Sequence, residues 1–330
     1  LYVSGTDMDI SITTSIECNV EEEGDVTVNA KQLLGIIREL PSGEINIKVE
    51  NERVTIDFKN GQSSIMGMPS VDYPALKDSI EGNEIKISGT NFVEMVEKTS
   101  FSVSQDRTRL ALTGIYWKVS SDEMIMVSTD GHRLSLFSKK MEMNIEKSTE
   151  AIIPSKSLNQ AAQIISGGAD IERIVFGEGA ILFDFGTTTI FSKLIEGPYP
   201  DFRQVIPNEN SKHVFVSSEE FSASVRRVSV LSNSITHQIR MAISSGLMEV
   251  NTKNDDIGGE SRESIAVRYD GEPIIAGYNA AFLSEILRKI ETDEVLLELE
   301  SPTTACILKP VGQKETDEFV YLIMPLRISD

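Results

Sequence analysis

One pattern occurs three times along this chain, and it limits the fold more than any other feature of the sequence. Each copy opens on a residue suited to capping a helix, continues through about three turns of helix, and leads into two β-rich stretches. The first copy reads Val28-Asn29-Ala30-Lys31-Gln32-Leu33-Leu34 through Leu40, with strands expected over 45–49 and 54–58. It closes on Met68-Pro69-Ser70-Val71-Asp72-Tyr73-Pro74. The second reads Ile153-Pro154-Ser155-Lys156-Ser157-Leu158 through Ile165, with strands over 173–176 and 180–185, and closes on Gly197-Pro198-Tyr199-Pro200-Asp201-Phe202. The third reads Gly277-Tyr278-Asn279-Ala280-Ala281-Phe282-Leu283 through Ile290, with strands over 295–299 and 305–308. Asn29, Ser155 and Asn279 are the expected caps. A spacing of about 125 residues is too long for a solenoid repeat and suits a domain. The expected class is α+β, with domains at 1–83, 84–210 and 211–330.

Each domain also contains a second, similar half. Ile87-Ser88-Gly89-Thr90-Asn91-Phe92 opens a helix to about Ser100, and its strands reach Val127-Ser128-Thr129-Asp130. Val216-Ser217-Ser218-Glu219-Glu220-Phe221 does the same, and its strands reach Val250-Asn251-Thr252. In the first domain only the tail of this half is seen, where Val3-Ser4-Gly5-Thr6-Asp7 matches Val127-Ser128-Thr129-Asp130. By comparison with the other copies, roughly forty residues are expected to be missing ahead of Leu1.

The helices are amphipathic. In the first, Leu33, Leu34, Ile36, Ile37 and Leu40 form one face, and Lys31, Gly35 and Arg38 line the other. Basic residues also occupy the expected open faces of the remaining helices: Lys98, Lys156, Arg226, Arg227, Arg288 and Lys289. Solvated helix faces explain such residues without any function, and Glu94, Glu97, Glu220 and Glu285 dilute them. Their distribution still matters, because the chain carries a net charge of -20. That charge argues against a protein that grips nucleic acid through many phosphate contacts. Three histidines and two distant cysteines, Cys18 and Cys306, form no metal-ligand spacing, and reduced thiols are expected. No phosphate-binding glycine loop or nucleophile elbow is present, so neither catalysis nor a cofactor is expected. No run approaches the ~20 apolar residues of a membrane span, and a cytoplasmic protein is expected.

Three separated segments carry a family resemblance: Thr129-Asp130-Gly131-His132-Arg133-Leu134, then Tyr199-Pro200-Asp201-Phe202-Arg203, then Tyr321-Leu322-Ile323-Met324-Pro325-Leu326-Arg327-Ile328. With the threefold repeat, they resemble the beta subunit of bacterial DNA polymerase III, a DNA sliding clamp. The resemblance implies three clamp-type domains per chain, each with two helices inside and β-sheet outside. It also implies a head-to-tail homodimer that closes a six-domain ring around duplex DNA. A ring holds DNA by topology, which reconciles the acidity with a DNA partner; a mildly basic pore would guide the duplex.

The resemblance further implies an apolar groove, between the second and third domains, that takes short peptides of DNA polymerases and the clamp loader. On the second-domain side it would use Leu112, Thr129, Gly131, His132, Arg133 and Leu134, with Pro200 and Val205. The C-terminal segment would supply Leu322, Met324, Pro325, Leu326 and Arg327. Gln204 stands where some members carry arginine. Leu110 and Ala111 stand where some present tyrosines to DNA, which leaves Arg107 and Arg109 for that contact. Ile65, Val230 and Leu231 would be apolar partners across the subunit junction, although each could equally be a core residue. A chain lacking the opening half-domain is expected to be unstable or to fail to close as a dimer. The alternatives are a β-rich scaffold that binds only proteins, which would need no basic helix faces, and a metal-dependent nuclease, which would need clustered His and Asp.

Overall fold

The computed structural model describes residues 1–145 and 147–328. The first unit contributes β1 (Tyr2–Thr6), β2 (Ile10–Ser15), helix α1 (Ala30–Glu39), β3 (Ile45–Glu50), β4 (Arg53–Phe58) and β5 (Gly61–Met66). The second adds β6 (Gly82–Ile85), α2 (Gly89–Thr99), β7 (Gly114–Val119), β8 (Glu123–Thr129), β9 (Arg133–Lys140) and β10 (Thr149–Pro154). It continues with α3 (Ser155–Ser166), β11 (Arg173–Gly177), β12 (Ala180–Asp184) and β13 (Thr188–Lys193). The third comprises β14 (Lys212–Ser217), α4 (Ser218–Ser229), β15 (Gln238–Ser244), β16 (Leu247–Asn254), β17 (Gly259–Ala266) and β18 (Ile274–Asn279). It ends with α5 (Ala280–Leu287), β19 (Glu294–Leu299), β20 (Cys306–Pro310) and β21 (Asp317–Ile323).

Two of the three expected caps act as such, and two further serines cap helices. Asn29 accepts from the Gln32 N–H at 3.1 Å and Asn279 from the Ala281 and Phe282 N–H groups, while Ser88 and Ser217 accept from Asn91 and Glu220. Ser155 does not. Pro154, the last residue of β10, takes the cap position, and Ser155 is already helical with no side-chain cap. A proline that ends a strand fixes its own φ and has no N–H to satisfy, so the helix can start directly after it.

The strands form antiparallel sheets, and two of these cross unit borders. The six-stranded order is β1-β2-β13-β12-β11-β6, so β2 of the first unit pairs with β13 of the second. The eight-stranded order is β10-β7-β8-β9-β21-β20-β19-β14, so β9 of the second unit pairs with β21 of the third. The remaining sheets are β17-β16-β15-β18 and β3-β4-β5.

The repeated half-domain is visible at the level of single hydrogen bonds. Thr6 Oγ1 donates to the Ile10 carbonyl at 2.9 Å and accepts from the Met8 N–H, while Asp7 accepts from the Asp9 and Ile10 N–H groups. Thr129 Oγ1 likewise donates to the Arg133 carbonyl at 2.6 Å and accepts from Gly131, while Asp130 accepts from His132 and Arg133. Asp7 also meets Lys156 of the second unit, which with the Ile10 N–H holds its carboxyl below the ordinary carboxylate range.

One continuous core runs through the second and third units. It includes Phe92 packed against Trp117 and Phe183, and Trp117 edge-on to Phe176 at 5.2 Å. The first unit has a smaller core of Val54, Ile56 and Ile65, lined by Leu33, Ile36 and Leu40. Leu34 and Ile37 were expected on the same buried face, yet they remain 48% and 41% exposed. The reason is packing: α2 lies against α3 and α4 against α5, whereas α1 has no helix beside it among the described residues. Cys306 is buried, and burial pushes its thiol up to about 12, while Cys18 is exposed. At pH 8 one thiol is therefore expected to react with a disulfide reagent in the native protein, and both in denaturant; equal native rates would contradict this. The unfolded thiol ionises near 9.0, so stability tied to neutral Cys306 holds below that pH and is lost as pH rises towards about 12.

Candidate functional site

Alternation along β9 decides the site. Leu134 points to the face of the eight-stranded sheet away from the helices, directly opposite Leu322 of β21. There the two leucines join Ile125, Val127, Leu136 and Val320 in a second apolar cluster, flanked by Tyr116, Tyr199, Phe202 and Ile206. Tyr116 stacks on Tyr199 with centroids 5.3 Å apart, and its hydroxyl donates to Glu150 at 2.6 Å. The cluster spans the border between the second and third units, because its strands come from both.

The β8–β9 turn borders this cluster. Gly131 has φ 89°, a conformation that favours glycine; a Cβ there would lie 2.7 Å from Arg109 Nη1, the movable end of a half-exposed side chain. The C-terminal segment runs alongside: the Met324 N–H donates to the His132 carbonyl at 2.8 Å, and the Leu326 N–H to the Gly277 carbonyl at 2.8 Å. Leu134 and Leu322 are buried in this cluster, and Leu112, in the 3-10 turn Leu110–Thr113, is buried as well. Met324, just after β21, stands 42% exposed, and Val205, at the end of the 202–205 turn whose Phe202 flanks the cluster, 55% exposed. Pro325, Leu326 and Thr129 are half-buried, while Gly131, His132, Pro200 and Arg327 are exposed.

Arg133 differs from its expected role. It is 7% exposed, and alternation turns its side chain to the helix side, away from Leu134. The guanidinium pairs with Glu285 of α5 and with Asp130 at 3.0 Å, and donates to the Phe101 carbonyl at 2.8 Å. Its centre lies 4.3 Å from the Phe282 ring centroid and 5.5 Å from that of Phe101. Arg133 thus joins two units on the helix side of the sheet and does not present its charge beside the Leu134–Leu322 cluster.

The basic helix faces are only partly free. Lys31, Arg38, Arg107, Arg226 and Arg288 are exposed and have no ion-pair partner among the described residues, and Lys289 is half-buried. Lys98 is not available: it is 6% exposed, donates to the Lys289 carbonyl at 2.7 Å and pairs with Glu291 at 2.8 Å. The packing of α2 on the neighbouring unit encloses it. Lys156 pairs with Asp7, and Arg227 grips Glu263 with two bonds of 2.6 and 3.0 Å. Arg109 pairs with Asp106 at 3.4 Å and donates to the Asp130 carbonyl at 2.9 Å, which holds it against the β8–β9 turn.

Of the apolar residues expected at a junction, Val230 is 77% exposed at the end of α4 and Leu231 is half-buried, but Ile65 is 9% exposed inside the first unit's core. On β5 the outward residue is its neighbour Met66, at 55%. Sequence reading missed Ile235 and Ile257, 85% and 63% exposed; an isoleucine inside a polar turn was the available signal. Among the described residues no group of three or more His, Cys, Asp or Glu could hold a metal, and no helix is long and apolar enough to cross a membrane.

Family models match along the chain in order: the DNA polymerase III beta subunit N-terminal domain at 1–77, central domain at 86–201 and C-terminal domain at 203–327. The beta sliding clamp of Pseudomonas putida is 27% identical over 330 residues, covering 99% of this chain and 89% of that protein. The DNA polymerase sliding clamp of Pseudomonas aeruginosa, solved with a ligand, superposes with a TM-score of 0.90 at 25% identity, over 99% of this chain and 89% of that one. The sliding clamp of Bartonella birtlesii bound to griselimycin gives 0.91 at 28%, over 99% and 88%.

Proposed function

This chain belongs to the DNA polymerase III beta subunit family, and from that premise we propose that it works as a DNA sliding clamp. Two copies joined head to tail form a ring around duplex DNA, and the ring tethers DNA polymerases and the clamp loader. The observation that carries the DNA role is the contrast between a net charge of -20 and the free cations Lys31, Arg38, Arg226 and Arg288 on helices. Such an arrangement repels phosphate at most of the surface and tolerates it along the helices. Held by topology, the ring needs no strong phosphate contacts, and few contacts permit sliding. The trough of Leu134 and Leu322 between Met324 and Val205 suits a short peptide with apolar anchors, and methionine adapts to several of them. Nothing in this scheme requires catalysis, a metal or a cofactor, and its setting is the cytoplasm.

The test is retention on DNA of different topology. Loaded onto a closed circle by its clamp loader, the protein is expected to stay bound through a high-salt wash and to leave once the circle is cut. Retention that ignores the cut, or disappears in salt on the intact circle, would mean that direct contacts and not a ring hold it on DNA; no retention at all would support a scaffold that binds proteins alone.

A further inference from the structure

The border between the first and second units repeats the backbone of the border that carries the groove, and departs from it in side chains. At the groove border the Met324 N–H donates to the His132 carbonyl and the Leu326 N–H to the Gly277 carbonyl. At the first border the Lys193 N–H donates to the Asp9 carbonyl and the Ile195 N–H to the Ile152 carbonyl, both at 2.9 Å. The linker tyrosines correspond too. The Tyr199 hydroxyl donates to the Val127 carbonyl at 3.4 Å, and the Tyr73 hydroxyl to the Ser4 carbonyl at 3.2 Å. Strand register completes the match: Thr6 pairs with Ser11 as Thr129 pairs with Leu134, and Phe191 faces Ser11 as Leu322 faces Leu134.

In this register Ser4 stands for Val127, Ser11 for Leu134 and Thr13 for Leu136. The later unit supplies apolar surface at both borders: Leu182 faces Phe191 as Ile307 faces Leu322, and both are 1% exposed. The earlier unit differs. Where the groove border has three aliphatic side chains, the first border has three hydroxyls. Resting on the groove reading, we propose that Ser4, Ser11 and Thr13 determine specificity by closing the first border to apolar peptides. Each chain then takes one peptide although it builds the frame twice.

The barrier is one of solvation. A leucine or phenylalanine anchor gains by leaving water for apolar surface, but laid over hydroxyls it strips them of water and offers no hydrogen bond in return. Ser4 and Thr13 already bond to each other across β1 and β2 at 3.0 Å, and Ser11 is buried beside Phe191. Charge adds to the effect. Lys193 occupies the place of Met324 and pairs with Asp9 at 3.1 Å, where the groove border has an uncharged ridge. The Lys77 ammonium lies 5.9 Å from the centroid of the Phe191 ring, over the one large apolar face that the border retains. A surface can reject a ligand by presenting polar groups that the ligand would leave unpaired, with the backbone frame unchanged.

The experiment gives the first border the side chains of the second and counts peptides. Ser4→Val, Ser11→Leu and Thr13→Leu together are expected to raise the stoichiometry of a fluorescent Gln-Leu-x-Leu-Phe peptide from one per chain to two. Placed in a Met324→Ala, Pro325→Ala background, the same three changes are expected to restore saturable binding at least about tenfold tighter than that background shows. Ser4→Val with Thr13→Val leaves buried Ser11 untouched, preserves side-chain volume at Thr13, and is expected to gain a weaker second site. Thermal unfolding identifies the folded variants. A parent that binds one peptide, with folded variants that gain no second, overturns the assignment and leaves the groove reading standing. A parent that already binds two peptides overturns it as well, since the hydroxyls would then be no barrier. A parent that binds none overturns the groove reading and the assignment together.

Discussion

Replacing Arg133 with alanine is expected to cost about 3 kcal/mol of stability at the border of the second and third units, and to weaken peptide binding without removing a groove contact. The guanidinium is 7% exposed and held by Asp130, Glu285 and the Phe101 carbonyl between two aromatic rings. Its removal strands Asp130, whose side chain is 13% exposed, whereas Glu285 at 39% can rehydrate, which sets the lower end of the usual range. The Asp130 carboxylate also accepts the His132 and Arg133 N–H groups, so its reorientation disturbs the turn beside the trough. Arg133→Lys keeps a charge but not the forked geometry, and should recover only part of the loss. Hydrogen exchange read separately for the 129–134 turn and for α5 checks this. Unchanged protection at both places would show that Arg133 does not join the units.

A second large effect is expected from Met324→Ala combined with Pro325→Ala, measured as binding of a fluorescent peptide with a Gln-Leu-x-Leu-Phe core. Met324 is an exposed apolar side chain of the proposed groove, and its backbone N–H already bonds to the His132 carbonyl. The substitutions therefore remove side-chain surface and leave that bond available. Loss of a central apolar anchor weakens binding by about 2 kcal/mol, or roughly thirtyfold in Kd. Equal affinity in the variant and the parent would place the peptide elsewhere. Since DNA retention depends on closure, the double variant should stay on circular DNA.

Much of the fold was readable because it rests on local chemistry. Asn29, Ser88, Ser217 and Asn279 cap helices where a hydrogen-bonding side chain precedes an amphipathic run. Ser155 misled because Pro154 performs the same boundary function one residue earlier. The threefold pattern was legible for the same reason, since each copy repeats caps and strand periods. Pairing between distant residues was not legible. Lys98 and Lys156 read as open-face cations and Arg133 as a groove residue in the sequence, yet their partners Glu291, Asp7 and Glu285 lie far away along the chain. Arg133 and Leu134 are neighbours that the strand's pleat sends to opposite faces, so a motif naming both could not separate the two roles. Ile65 and Met66 show the same limit: the exposed member of the pair depends on which side α1 covers.

The sheets that straddle unit borders have a mechanical consequence. An ordinary multidomain chain bends at its linkers, but here any bending between units must shear a ladder of backbone hydrogen bonds, as in the seven residue pairs from Asp317–Lys139 to Ile323–Arg133. Behind that ladder the polypeptide itself acts as a strap, so the border recovers its shape after deformation. A joint between two separate chains has no such strap. Elastic load on the assembled ring therefore collects at the joints between chains, which act as mechanical fuses. Each subunit moves as a stiff arc, and a machine that opens the ring needs to overcome one seam without deforming the rest.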